Sequence, residues 1–383
     1  MSSAEQAVRD PLARLHITAA EREPTLAPAL HLRGIFLPEE AERDAWIVDG
    51  RLTFERVRQA ETISPAGWVL PGFIDAHCHI GITPTGWADE EEQIRQALVN
   101  RDAGALLLRD AGSPVDNRHI QQRDDLPRLI RAARHIARPK RYIRYLGVEV
   151  EPDELVAEVE RQAPLGDGWI KLAADWIDRD AGDLTPTWPD DALAAAIGRA
   201  HELGVRVAAH VFGEAALPGL IAAGLDSIEH GTGLTEDLLD EVGRRGIAVV
   251  PTLINIDTFP EIASSGAAKF PRYAEHMRSL YGTAWQRIRS AWEAGVPIYP
   301  GTDAGGSLEH GRIRDELAAL VQAGIPQPEV IAQASWRGRN WLGYPGLVEG
   351  APADLVVYPS DPRTDLGTLF EPSRIVLRGH VIS

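Results

Sequence analysis

Between Gly72 and Gly306 the chain alternates short apolar runs with longer amphipathic ones, and this alternation restricts its possible folds more than any other feature. The short runs are "GFIDAHCHI", "ALLLRDAG", "RYIRYLGVEV", "GWIKLAA", "VRVAAHVFG", "LDSIEHG", "IAVVPTLI" and "VPIYPGTDAG". Between them lie helical patterns such as "EEEQIRQALVNRDAG", "WPDDALAAAIGRAHELG" and "TEDLLDEVGRRG", several closed by the glycine that caps helix C-termini. Strands alternating with helices pack as parallel sheet under helices. Eight such units predict an α/β fold of the closed (β/α)8 TIM-barrel type. The runner-up, an open doubly wound sheet, lacks its nucleotide signatures, since neither GxGxxG nor GxxxxGK[ST] occurs.

The flanks read differently. "ALHLRGIFL", "DAWIVDGRLTF" and "ETISPAGWVL" before the barrel, and "PADLVVYP" and "SRIVLRGHVI" after it, are short strand-like runs broken by turn residues. Neither flank alone suffices for a core. The expectation is a small composite β-sandwich from residues 1–70 and 341–383, split by a barrel over 71–340. Acidic residues outnumber basic ones, 56 to 39, giving a net charge of −17. That balance argues against nucleic acid and anionic membranes as partners and otherwise serves solubility. A single cysteine, Cys78, excludes an intramolecular disulfide. The absence of a long apolar stretch near Met1 or elsewhere makes a cytoplasmic location the expectation.

In a strand, side chains alternate between faces. His77 and His79 in "DAHCHI" therefore share a face with Asp75, while Cys78 points away. Alone, such a pair is as well explained by a polar strand end. Functional groups of barrels gather at the C-terminal ends of strands, and those ends carry Lys171, His210, His230 and Asp303. Each has an ordinary explanation: a buried lysine snorkels or pairs, a histidine caps a strand, an aspartate in "GTDAG" makes a turn. All six arriving at one barrel mouth is the pattern of a metal site. His310, Tyr145 and Arg144 are candidate substrate contacts. Arg109 and Asp110 fit internal pairing or a substrate role, and Trp176 and Trp188 flank the loop after Lys171. His16, His31, His119, His135, His201, His276 and His380 read as non-ligands in helices, loops or the β-domain.

The stretches "VLPGFIDAHCHI", "LLRDAG", "WIKLAA", "VRVAAHVFG", "GLDSIEHGTGL", "VPIYPGTDAG" and "LVEGAPADLVVYP" resemble the amidohydrolase superfamily of metal-dependent hydrolases. They are most similar to its branch of imidazolonepropionase-like proteins and binuclear Xaa-Pro dipeptidases. The resemblance implies that His77, His79 and Asp303 hold one of two divalent ions and that His210 and His230 hold the other. It implies a carbamate on Lys171 bridging the two. Imidazole and carboxylate donors suit Zn2+. It further implies hydrolysis of an amide C–N bond in a small molecule by a metal-bridging hydroxide, with Asp303 moving the proton. Related barrels often assemble, so a homo-oligomer is implied too.

Two departures bear on the substrate. Phe212 stands where relatives carry the second histidine of HAHG, and "LAADW" stands where they read "ATGG". Both weaken the dipeptidase reading. Deaminases of the superfamily place a glutamate three residues after the fifth-strand histidine; here that position is Gly213, with Glu214 one later. The resemblance is also compatible with opening of a cyclic amide or imidazolone, with hydrolysis of a lactone or phosphotriester, and with a metal-binding relative that has no turnover.

Overall fold

The computed structural model describes residues 28–383; His16 and the first part of the expected β-domain lie outside the described residues. Strands from both flanks join one mixed sheet of eight strands. Its order is His380–Val381, Arg374–Leu377, Leu355–Tyr358, Trp68–Pro71, Leu30–Phe36, Ala41–Val48 and Arg51–Thr53, with Glu61–Ser64 also paired to Leu30–Phe36. The ladders are continuous across it and do not divide into two sheets. The two chain ends meet where Leu355–Tyr358 runs antiparallel to Trp68–Pro71. Alternation gives the sheet its apolar face, with Leu32, Phe36, Ala45, Ile47, Leu52, Val69, Leu355 and Val357 in one buried cluster. The Asp49–Gly50 hairpin has both residues at positive φ, 50° and 76°, the primed turn that matches strand twist.

The middle of the chain forms two parallel sheets. One contains Phe73–Cys78, Ala105–Asp110 and Arg128–Arg131. The other contains Gly147–Glu149, His135–Ala137, Trp169–Ala173, Arg206–Val211, Ser227–His230 and Ala248–Val250. The third strand is a correction. "RYIRYLGVEV" supplies only the short edge strand Gly147–Glu149, and the third position belongs to residues 128–137. That segment pairs with Ala105–Asp110 through Arg128–Arg131 and with Trp169–Ala173 through His135–Ala137, so it carries the chain from one sheet to the other. Its interruption at "AAR" and its three arginines mask its apolar run.

The eighth run, "VPIYPGTDAG", makes only isolated bridges, Val249 with Ile298, Cys78 with Ala304 and Gly305 with Leu308. Pro297 and Pro300 have no N–H to give to a ladder. It is nonetheless held on both sides: Tyr299 N donates to Val249 O, Ala76 N to Pro300 O, and Asp303 N to His77 O. The structure therefore has parallel sheets whose edges this run spans, without a continuous ring of ladders.

Helices cover the outer faces. Asp190–Glu202 buries Leu193, Ala196, Ile197 and Ala200, the three-to-four spacing of one helical face, in the same core as Val207 and Ala209. After Ala248–Val250 the chain departs into the long helix Pro271–Glu293, which packs Tyr273, Ala274 and Met277 with Leu184, Phe212 and Phe259. At the strand starts, Trp169, Trp341 and Tyr299 close the interior, with the Arg206 guanidinium over the Trp169 ring. No helix among the described residues is long and apolar enough to cross a membrane.

Candidate metal centre

The tightest polar convergence lies at the C-terminal end of Phe73–Cys78. His77 Nε2 is 3.3 Å from His79 Nε2. Asp303 Oδ1 lies 3.2 Å from the first and 3.0 Å from the second. Both imidazoles are buried, and their other nitrogens are committed. His79 Nδ1 lies 2.9 Å from Gly112 O, and a carbonyl only accepts, so Nδ1 carries the proton. His77 Nδ1 is 2.6 Å from Glu229 Oε2, an ion-pair contact. In neutral rings this leaves two bare Nε2 lone pairs facing each other beside a carboxylate oxygen. Three acceptors at such distances repel unless a proton or a metal cation sits among them. The donor set of two imidazoles and a carboxylate suits a divalent transition ion. Cys78 is on the other face, among Leu108, Ile120 and Ile313.

Lys171, also fully buried, reaches this group with Nζ 3.4 Å from His77 Nε2. Burial lowers its pKa to about 8, against the pull of Glu229 and Asp303. The rings of His210 and His230 are 4.8 Å apart, and His230 is 5.0 Å from His77. His230 Nδ1 meets Thr252 Oγ1 at 2.7 Å and lies 4.0 Å from Asp303 Oδ2. His210 Nε2 is 3.7 Å from Asp175 Oδ1, and Asp175 accepts the backbone N–H groups of Phe212 and Gly213. All six sequence-selected residues thus surround one space.

Strand parity would send adjacent Glu229 and His230 to opposite faces, yet both reach the centre. The reason is local: the strand ends on His230 at φ 68°, a left-handed conformation that swings its ring inward. Thr252 (φ 49°) and Asp303 (φ 57°) share this conformation, which side-chain-bearing residues seldom adopt and which concentrates at functional sites.

The structure adds residues that sequence reasoning missed. Glu229 is fully buried between His77 and Arg109, whose guanidinium is 2.7 Å from Oε1. Burial raises its pKa, but Arg109, Lys171 and His77 together bring it well below the ordinary value. Arg109 also donates to Ala76 O and lies over Trp169, so its role is internal. Asp110 is internal too, accepting from Ile80 N, Gly112 N and Asn117 Nδ2. The available signal was parity: Ser227 and Glu229 share a face. Because outer partners that orient a ligating histidine contribute to affinity, Glu229→Gln is expected to weaken metal binding about 10–100-fold. Competition with a chelating indicator measures this, and unchanged affinity would remove Glu229 from the centre.

His135 is a second correction of place. It is on a strand, fully buried, paired in register with Lys171 and with its ring 5.2 Å from His79. Burial holds it well below its usual pKa, so it is neutral. Tyr142 packs on His135, His210 and Trp176 at 5.4, 5.3 and 4.9 Å, lining the space together with Trp176. Trp188 instead donates to Ala173 O from a buried position. Tyr145 and Arg144 are exposed on the loop before Gly147, and neither is among the six. His310 hydrogen-bonds Asn100 through Nδ1. Glu214, the nearest counterpart of a deaminase glutamate, is bound by His276 Nε2 at 2.9 Å and Arg287 at 3.2 Å.

Comparison with known proteins identifies the chain as a hydrolase. Residues 68–381 match the model of the amidohydrolase family, and the chain belongs to that family. It is 54% identical over 354 residues to an uncharacterized protein of Mycobacterium tuberculosis, covering 92% of this chain and 95% of that one. It is 26% identical over 231 residues to ochratoxinase of Aspergillus niger, covering 58% of this chain and 47% of the other. Among solved structures, a Xaa-Pro dipeptidase with bound methionine superposes with a TM-score of 0.77 at 22% identity, covering 93% of this chain and 100% of that one. The likeness shows a TIM-barrel-like α/β fold. Family and neighbours together support hydrolysis of amide bonds.

Proposed function

We propose that the chain hydrolyses an amide bond of a small molecule with two divalent ions, of the zinc type, held at this centre. The observation that carries the reading is the pair of Nε2 lone pairs of His77 and His79 converging on Asp303 Oδ1, with both Nδ1 atoms committed elsewhere. In this reading His77, His79 and Asp303 would hold one ion and His210 and His230 the other, with Lys171 as a carbamate supplying a further anionic ligand. A carbamate also answers the burial of Lys171, because an anion among cations replaces a stranded ammonium. When bound, such ions polarise a carbonyl and lower the pKa of water toward ~7.

The protein's own groups supply the rest. Glu229 and the Gly112 carbonyl fix the two imidazoles in one tautomer and orientation. Asn255 Nδ2, 2.7 Å from Asp303 Oδ2, holds that carboxylate's second oxygen. Asp303 takes the proton of the attacking water and delivers it to the leaving nitrogen. Tyr142, Trp176 and Phe212 shield the space from bulk water and favour apolar groups beside the scissile bond. Glu214, tied to His276 and Arg287, is not free to act as a deaminase base.

The test is metal analysis followed by a screen of Xaa-Pro dipeptides, N-acyl amino acids, cyclic ureides and lactones. The expected result is close to two ions per chain, turnover of an amide, and loss of that turnover on chelation with recovery on metal return. Undiminished turnover by metal-free protein, or no turnover of any amide by fully loaded protein, would refute the reading.

A further inference from the structure

The segment "RHIARPKRYIRY", Arg134 to Tyr145, runs through the strand His135–Ala137 into the loop after it and carries five cations in an otherwise acidic chain. Two have carboxylate partners: Arg138 meets Glu151 at 3.3 Å and Arg141 meets Asp178 at 3.0 Å. The side chains of Arg134, Lys140 and Arg144 make neither an ion pair nor a hydrogen bond among the described residues. Those same three line one hollow of about 670 Å³, together with Trp87 and Tyr145. Both rings are open to solvent, Trp87 at 60% and Tyr145 at 74%. The lining holds a single carboxylate, Glu149, whose Oε1 is 3.4 Å from the Lys140 backbone N. Three cations against one anion, on a chain of net charge −17, make a local field that gathers anions.

The hollow is connected to the candidate metal centre through the chain. Its Pro114 and Val115 follow Gly112, the carbonyl that holds His79. Its Gly147 pairs in register with His135, whose ring is 5.2 Å from His79. Lys140 (φ 62°) and Tyr145 (φ 68°) both adopt the left-handed conformation that side-chain-bearing residues avoid, a form of strain that gathers at ligand clamps. We infer that this hollow binds the anionic end of the substrate, a carboxylate carried beside a flat apolar ring that lies against Trp87 and Tyr145. The inference rests on the amide-hydrolase reading, and it narrows the substrates to amides bearing a free acid.

Two measurements test it on Lys140→Glu/Arg144→Glu and on the milder Lys140→Gln/Arg144→Gln. The first is calorimetric binding of benzoate to metal-free protein, which needs no turnover. Binding that weakens with salt and is lost in the charge-reversed variant is expected; equal binding by both proteins overturns the inference. The second compares kcat/KM for the screened amide as free acid and as methyl ester. The wild type is expected to favour the acid, and the variants to lose that preference at least tenfold, through KM. Benzoate binding with an unchanged acid-to-ester preference would make the anion a separate ligand and overturn the substrate assignment. Failure of every amide to react would instead defeat the hydrolase reading, with benzoate calorimetry still deciding the hollow.

Discussion

Lys171→Ala is expected to lose one or both bound ions and to lower kcat/KM by about 10³-fold or more, about 4 kcal/mol of transition-state stabilisation. The side chain is fully buried with Nζ 3.4 Å from His77 Nε2, so water alone does not take over its role. A carbamate role has a further signature. If the lysine acts as a carboxylate, the hole left by alanine admits a small carboxylic acid, and added acetate or propionate restores part of the turnover. Lys171→Met fills the volume without charge. It is expected to leave the melting temperature of the metal-free protein unchanged or higher, because removing a buried charge lifts a desolvation cost. Full metal content with normal turnover in Lys171→Ala would sink the carbamate.

Asp303→Asn separates charge from shape. Asparagine tolerates the left-handed backbone of position 303, at φ 57°, and keeps the size of the side chain. Burial raises the pKa of Asp303, but His77, His79 and His230 more than reverse this and hold it well below the usual range. The amide removes both this anion and the proton acceptor. Loss of general acid–base catalysis is worth about 10²–10⁴-fold, so kcat is expected to fall by that factor with further loss of metal affinity. Metal titration together with steady-state kinetics separates the two. A variant with wild-type kcat would exclude Asp303 as the proton carrier.

The six residues gathered at the centre were legible because each ends a strand-like run and because strand alternation is a rule of local geometry. His77 and His79 follow from it directly. Glu229 was passed over although it shares a face with Ser227. Its neighbour His230 drew attention, and only the left-handed turn at His230 lets two adjacent residues reach one space. His135 was hidden by the third strand, where residues 128–137 are broken midway and rich in arginine, and Tyr142 lay in a run read as strand that is loop at that position. The eighth run brings Asp303 beside His77 and His79 without being a ladder strand, since two prolines deny it the hydrogen bonds by which strands are assigned. Tyr145 and Arg144 drew notice on the assumption that their segment was strand; it is an exposed loop, and the ring that faces the centre is Tyr142.

The pairing of Leu355–Tyr358 with Trp68–Pro71 has a consequence for biosynthesis. Trp68–Pro71 leads through Gly72 directly into the strand bearing His77, but its partner is translated only after the whole barrel region. As the chain emerges, the edge that precedes the first ligand strand stays open through most of synthesis, a contact of very long sequence separation that forms late and slowly. Completion of the metal centre is thereby coupled to arrival of the final strands, and an ion captured before then would bind a site whose first strand is still unsupported on one side.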